Sequence, residues 1–383
     1  MTSKERVKIA LSRGIPDRVP FGEYAVDSDT VERVIGHPTL LRNKAASKIA
    51  LWEGRRDEVA TSWKEDQVEF HRKLGCFDIV NLMAEATAIL PPKDYEPERP
   101  KKIGEGVWEG PNGRVYKYSE VTRDILLVHD PKASTLTYTI ENFIVEKEPS
   151  FPDPSTFEVV DYVIQQLGKD KFIVGPSGTP VELVLLGPME QALCRFLEDP
   201  ELVKAAAKYY VQEGNLQDCI YIRPGTNAVM WGQDFAYKNG PLVSPAMFYE
   251  FVVPYARERV RHIHENFHIP VIKHACGNNW SLLDMFVEIG WDCYQSIQAS
   301  AGMDLGKVKE KYGKKMALWG GVPVELLVSG SKEEVEAAAE KTMAQGKPGG
   351  GYIFGSSHSI CTGTKYENFM AMIDVWERTK EYS

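Results

Sequence analysis

Short apolar runs recur along the chain, each closed by a Gly- or Pro-marked turn. The runs are VPFGEYAV (19–26), DIVNL (78–82), FIVGPSG (172–178), NAVMWGQD (227–234), PVIKHACG (270–277), CYQSI (293–297), MALWGGVP (316–323) and GYIFGSSH (351–358). Their continuous apolarity suits strands covered on both faces, the condition of a parallel sheet. Helical patterns lie between most of them. Segments 200–218 and 244–267 carry apolar residues three and four apart. Segment 331–346 opens on Ser331 as an N-cap, with glutamates in its first turn, and stops at Gly346. Eight strand–helix alternations predict an α/β protein, a (β/α)8 TIM barrel. An open doubly wound sheet is the competing arrangement. No G-x-G-x-x-G opens a helix, which counts against a dinucleotide-binding version.

One stretch breaks this rhythm. Residues 104–146 include GVWEGPNGRVYKYSEVTRDILLVH, where EGPNG is turn chemistry between alternating strands. A β-hairpin insertion between strands two and three is therefore expected, either capping the pocket, offering a docking surface or forming a plain surface flap. The simplest organisation is one barrel domain over residues 1–383 with an insertion at about 100–146.

Composition narrows the class. The 383 residues are 43% hydrophobic and 26% charged, enough to bury a large core. A formal net charge of −9 gives nucleic-acid binding no electrostatic support. No apolar run is long enough to span a bilayer, and the first residues, MTSKERVKIALSRG, read as a short basic helix rather than a signal peptide. Six scattered cysteines read as free thiols in a reducing cytoplasm, so a cytoplasmic protein is expected.

Barrel chemistry sits at the carboxyl ends of strands. There the chain offers Glu23, Asp27, Asn81, Ser177, Thr179, Gln233, Asp234, Tyr237, His274, Cys276, Asn278, Asn279, Gln295, Ser356, Ser357 and His358. His274 and Cys276 stand two apart, so an extended strand points both to one face. An imidazole and a thiolate suit zinc, and three protein ligands with one open position mark a catalytic ion. Cys361 is the expected third ligand. Asp234, Tyr237 and His358 are the candidate catalytic groups, and Trp231, Gln233, Asn279 and Gln295 the candidate substrate contacts. Asp234 has a competing reading as a loop cap, and Trp231, Tyr237, Trp319 and Phe354 as core packing. The other four cysteines are expected as buried small hydrophobes. Lys273 should point away from His274.

KERVKIALSRGIPDRVPF, GPLVSPAMFYEFVVPY (240–255), HACG (274–277) and GYIFGSSHSICTGTKYENFMAM (351–372) together resemble the uroporphyrinogen decarboxylase superfamily. The resemblance implies a (β/α)8 barrel. Its true decarboxylases carry an R-Q-A-G-R type motif that grips carboxylates, and EYAVDSDTVERVIG in the matching region has none. Its other branch, the zinc-dependent methyltransferases that work with corrinoid proteins, carries H-x-C-G after strand five, matched by His274 and Cys276, and a cysteine after strand eight. Counting back from Glu367-Asn368, that position holds His358, with Cys361 three residues on. The third ligand is Cys361 or His358, with Cys361 favoured.

The resemblance thus implies a methyltransferase that moves a methyl group from a small methylated substrate to the cobalt of a corrinoid protein. Aromatic residues near strand ends favour a phenyl methyl ether, and so an O-demethylase component. Methylamines, betaines and thiols are the alternatives. The rivals are a cofactor-free decarboxylase, with Arg13, Arg18 and Lys273 as its candidate cations, and a non-catalytic barrel that binds a corrinoid partner or a metabolite.

Overall fold

A computed structural model describes residues 1–83, 88–133, 136–144, 148 and 151–382. The strands in chain order are β1 (Ile79–Asn81), β2 (Lys101–Gly104), β3 (Val107–Glu109), β4 (Val115–Ser119), β5 (Asp124–His129), β6 (Phe172–Gly175), β7 (Ala228–Trp231), β8 (Ala236–Tyr237), β9 (Gly240–Pro241), β10 (Val271–His274), β11 (Cys293–Ser296), β12 (Ala317–Gly320) and β13 (Tyr352–Ile353). Seven of them form one curled parallel sheet in the order β1-β6-β7-β10-β11-β12-β13. Each lies in one of the predicted runs.

The eighth run, 19–26, joins the two ends of this sheet through single bridges rather than a ladder. Phe21 pairs with Phe354 and Val26 with Ile360, both parallel. Gly22 N–H donates to Phe354 O at 3.1 Å, and Asp78 N–H donates to Phe21 O at 2.7 Å. Pro20 has no N–H to give, which keeps this edge from running as a regular strand. The ring of eight segments is that of the predicted barrel.

Alternation along each strand divides the core in two. Ile79, Phe172, Val174, Ala228, Met230, Ile272, Cys293, Ala317, Trp319 and Ile353 pack with one another inside the ring. Their strand neighbours Val80, Ile173, Val229, Trp231, Val271, Tyr294 and Leu318 face outward into the layer of helices. The helix Pro200–Tyr221 covers the region of the predicted 200–218 helix. The helix Lys332–Gly346 starts on Ser331, whose side chain accepts from Glu334 N–H in a capping box. The pattern over 244–267 is split into Pro245–Phe251 and Val253–Phe267. Pro254 cannot donate to the residue four before it, and its ring crowds that carbonyl, so the helix breaks there.

The insertion is larger than one hairpin. β2 to β5 make a four-stranded antiparallel sheet in sequence order. EGPNG is its β3–β4 turn, closed by Gly110 N–H donating to Arg114 O at 2.8 Å. The sheet rests on the helix Lys44–Trp52 through Trp52, Tyr116 and Ile125. Residues 134, 135, 145 and 146 of the expected stretch lie outside the described residues.

Candidate metal centre

His274 ends β10 and alternates with Ile272, so its ring enters the barrel interior. The chain then turns sharply. Gly277 has φ +84°, and a Cβ there would stand 2.2 Å from Ala236 O, so the fourth residue of HACG must be glycine. Asn279 staples the same turn: its Nδ2 donates to Cys276 O at 2.8 Å and to Gly277 O at 3.2 Å.

Cys276 Sγ lies 3.5 Å from His274 Nε2. A tetrahedral ion bonded at about 2.0 Å to nitrogen and about 2.3 Å to sulfur spaces those atoms by roughly 3.5 Å. The donor atoms of His274, Cys276 and His358 all lie within 4.8 Å of one another. Cys361, the expected third ligand, does not join this group. Burial first, and the nearby carboxylates of Asp27 and Asp29 with it, raise its pKa. The physical reason is a turn: Ser356 Oγ donates to His358 O, which folds the 356–358 backbone back and sends His358 inward.

Surrounding groups set the state of the two candidate ligands, His274 at the end of β10 and Cys276 just beyond it. Gln295 Oε1 meets His274 Nδ1, so the proton sits on Nδ1 and the Nε2 lone pair faces Cys276. Burial pushes the His274 pKa down to about 4, which keeps the ring neutral near pH 7. The Tyr24 ring stacks on it. Burial, reinforced by Asp234, pushes the Cys276 thiol up to about 12. Such a thiol ionises only against a strong local cation, and a bound metal supplies one. On chemistry and spacing, the donor set fits zinc.

Ser296 approaches from β11, its Oγ 3.5 Å from Cys276 Sγ and donating to Ser357 O at 2.7 Å. It holds φ +115° and Ile297 φ +56°, conformations that cost of order 1–3 kcal/mol each and cluster at functional sites.

The remaining candidates separate. Asp234 stands at the site, exposed, with its Oδ1 accepting from Cys276 N–H at 2.7 Å. Gln295 is there too, but it holds His274 rather than facing an open pocket. Asn279 shapes the ligand loop and is fully buried. Gln233 is spent on the backbone of Leu183, accepting from its N–H at 2.6 Å and donating to its O at 3.0 Å. Trp231 lies outside the sheet, its Nε1 donating to Ser177 Oγ at 3.2 Å, because it is one position out of register with the interior Met230. Phe354 also faces outward. Tyr237 is 65% exposed, and its backbone carbonyl accepts from Asn278 N–H. Cys194 and Cys219, expected as buried, are exposed, while Cys293 is buried.

Tyr24 and Ser296 were not singled out from the sequence. Tyr24 was not legible: it and its neighbour Ala25 both face inward, so this segment does not alternate as a strand would. Nothing in the local sequence marks Ser296.

The molecule is a parallel α/β barrel with a His–Cys–His cluster at the carboxyl ends of its strands. The Uroporphyrinogen decarboxylase (URO-D) family model matches residues 137–379, and the chain belongs to that family. The first quoted signature, at the N-terminus, lies outside the matched residues. A uroporphyrinogen decarboxylase of Thioalkalivibrio sulfidiphilus is 25% identical over 239 residues, 58% of this chain and 65% of that protein. A methylated-thiol–coenzyme M methyltransferase of Methanosarcina mazei is 25% identical over 186 residues, 47% of this chain and 46% of that protein. The chain thus matches less than two thirds of either relative's length. A solved structure of a methyltransferase from Methanosarcina mazei superposes with a TM-score of 0.67 at 16% identity, over 99% of both chains, a likeness of fold. Among the described residues, no helix is long and apolar enough to cross a membrane.

Proposed function

We propose that the protein is a zinc-dependent methyltransferase that passes a methyl group from a small methylated substrate to the cobalt of a corrinoid carried by a partner protein. The observation that carries this reading is the clustering of His274, Cys276 and His358. Relatives of both kinds match at the same identity, so the site must choose between them. A decarboxylase needs cations that grip carboxylates, and the three candidates are engaged or sited elsewhere. Arg18 pairs with Asp78 at 2.9 Å, before the start of β1. Arg13 lines a cleft with Asn227, Pro270 and Asp292, at the opposite end of the strands. Lys273 points away from His274, as alternation requires, and is buried against Glu182 over the Phe235 ring.

In this reading His274 Nε2, Cys276 Sγ and a His358 nitrogen hold the ion. When bound, zinc supplies Lewis acidity to the heteroatom that carries the methyl group. Gln295 keeps the His274 proton on Nδ1 throughout. Asp234, exposed beside Cys276 N–H, is the group placed to relay a proton from solvent to the heteroatom, which departs with the bonding pair.

For the methyl donor, a phenyl methyl ether and a methylated thiol are the two classes proposed. The aromatic argument for the ether is thinner than expected, since Trp231 and Phe354 face outward and Trp319 remains inside. The interior wall also carries Met230 and the side-packed Met83, soft surfaces that suit a thioether. The test is metal analysis followed by methyl transfer from each donor to a reduced corrinoid protein. About one zinc per chain, lost together with transfer in Cys276→Ala, is expected. Full transfer by metal-free protein would sink the scheme.

A further inference from the structure

Glu23 is 4% exposed and immediately precedes Tyr24. Both of its carboxyl oxygens lie 3.0 Å from Ser356 N, and Oε2 lies 2.5 Å from Ser356 Oγ. The same Ser356 Oγ is in hydrogen-bond contact with the carbonyl oxygen of His358. That carbonyl can only accept. Ser356 has one hydroxyl proton, so it cannot donate to His358 O and to a Glu23 carboxylate at once. The count closes if Glu23 brings a proton of its own. Its O–H then donates to Ser356 Oγ, Ser356 O–H donates to His358 O, and the other Glu23 oxygen accepts Ser356 N–H.

The surroundings agree. A cavity of about 30 Å³ beside Glu23 is lined by Arg42, His71, Gln67 and Tyr24. The Arg42 guanidinium is held by Asp27 at 2.6 Å. Burial pushes His71 down to about 3, so it is neutral near pH 7. The Tyr352 hydroxyl, a further titratable group facing Glu23, donates to Gly320 O at 2.7 Å. Burial accordingly pushes the Glu23 carboxyl up to about 8, against the opposing bonds from Ser356. Gly355 is what lets the two segments touch, since a Cβ there would stand 2.3 Å from Gly22 O.

We propose that Glu23 is a neutral carboxylic acid near pH 7 and is the positioning residue for His358, acting through Ser356 to turn the imidazole toward His274 and Cys276. This rests on the metal reading of the site. It is distinct from it, because His274 and Cys276 could hold an ion without Glu23.

The test uses apo-protein and cobalt(II) as a spectroscopic probe, with zinc competition for affinity. Glu23→Gln presents an amide N–H in place of the acid O–H, so its cobalt spectrum should match wild type and its affinity should fall within about threefold. Glu23→Ala and Ser356→Ala should each weaken metal binding about 10- to 100-fold and give the spectrum of His358→Ala. Circular dichroism checks that each is folded, and Ser356→Ala keeps the test sound if Glu23→Ala is not. Wild-type spectra in the folded alanine variants would overturn the inference while leaving the metal site standing. So would a Glu23→Gln as weak as Glu23→Ala, which would mean that the charged form does the work. A wild-type protein that binds neither metal overturns the site and the inference together.

Discussion

The Tyr24 ring lies flat against the His274 imidazole, with centroids 4.0 Å apart and 16° between the planes. Tyr24 comes from the N-terminal segment that joins the two ends of the sheet, and His274 from the middle of it. The stack therefore couples ring closure to the aim of one candidate ligand. Tyr24→Phe keeps the stacked face and should leave zinc affinity near wild type. Tyr24→Ala frees the imidazole to rotate and should cost about tenfold, as loss of a supporting group around a metal ligand commonly does. Chelator competition measures both, and equal affinities in the two variants would show that the stack is packing alone.

Gln295 acts on the other edge of the same ring. Its carbonyl oxygen at Nδ1 fixes the tautomer that leaves Nε2 free. Gln295→Leu keeps the volume and removes the acceptor. Zinc affinity should drop about 10- to 100-fold with the fold intact. A Leu variant that holds zinc as tightly as wild type would remove Gln295 from the account.

The third ligand can be decided by substitution. His358→Ala should lose most zinc, and Cys361→Ala should keep about one per chain, because the donor cluster includes His358 and leaves out Cys361. The reverse pattern, read by metal analysis of the purified variants, would restore the cysteine expected from the resemblance.

These three sites show where the sequence is informative. The barrel was legible because each strand is a continuous apolar run with a marked end, and His274 with Cys276 because spacing of two on a strand needs no tertiary information. Side-chain direction was harder. A run apolar on both faces hides its own parity, so Trp231 passes for a pocket residue until Met230 is seen to be the inward one. The choice between His358 and Cys361 was not legible at all. His358 stands beside His274 and Cys276 where the chain bends at Ser356, and Ser356 Oγ contacts Glu23, 333 residues away in the chain.

His71 gives a pH signature independent of the metal. It is buried, its Nδ1 has no hydrogen-bond partner, and burial pushes its pKa from 6.5 down to about 3. The unfolded chain binds this proton below pH 6.5 and the folded chain does not until about pH 3. The stability gained by keeping it neutral is therefore whole above pH 6.5 and is lost as pH falls toward 3, at up to about 1.4 kcal/mol per pH unit for one proton. Denaturant unfolding of His71→Leu across this window should show a shallower acid limb than wild type. Parallel limbs would mean that His71 takes up its proton without unfolding.

Lys273 tests the choice between the two branches of the family. Its ammonium is fully buried, paired with Glu182 and seated 4.2 Å over the Phe235 ring, outside the barrel interior. A cation placed there is structural. Glu182→Ala should destabilise the fold by about 3–5 kcal/mol, because it strands a buried charge. The double variant Glu182→Leu with Lys273→Met removes both charges and should recover most of that loss. Zinc content and methyl transfer in the double variant should stay within a few-fold of wild type. A folded, zinc-loaded double variant that has lost transfer would give Lys273 a part in the chemistry and reopen the carboxylate-binding reading.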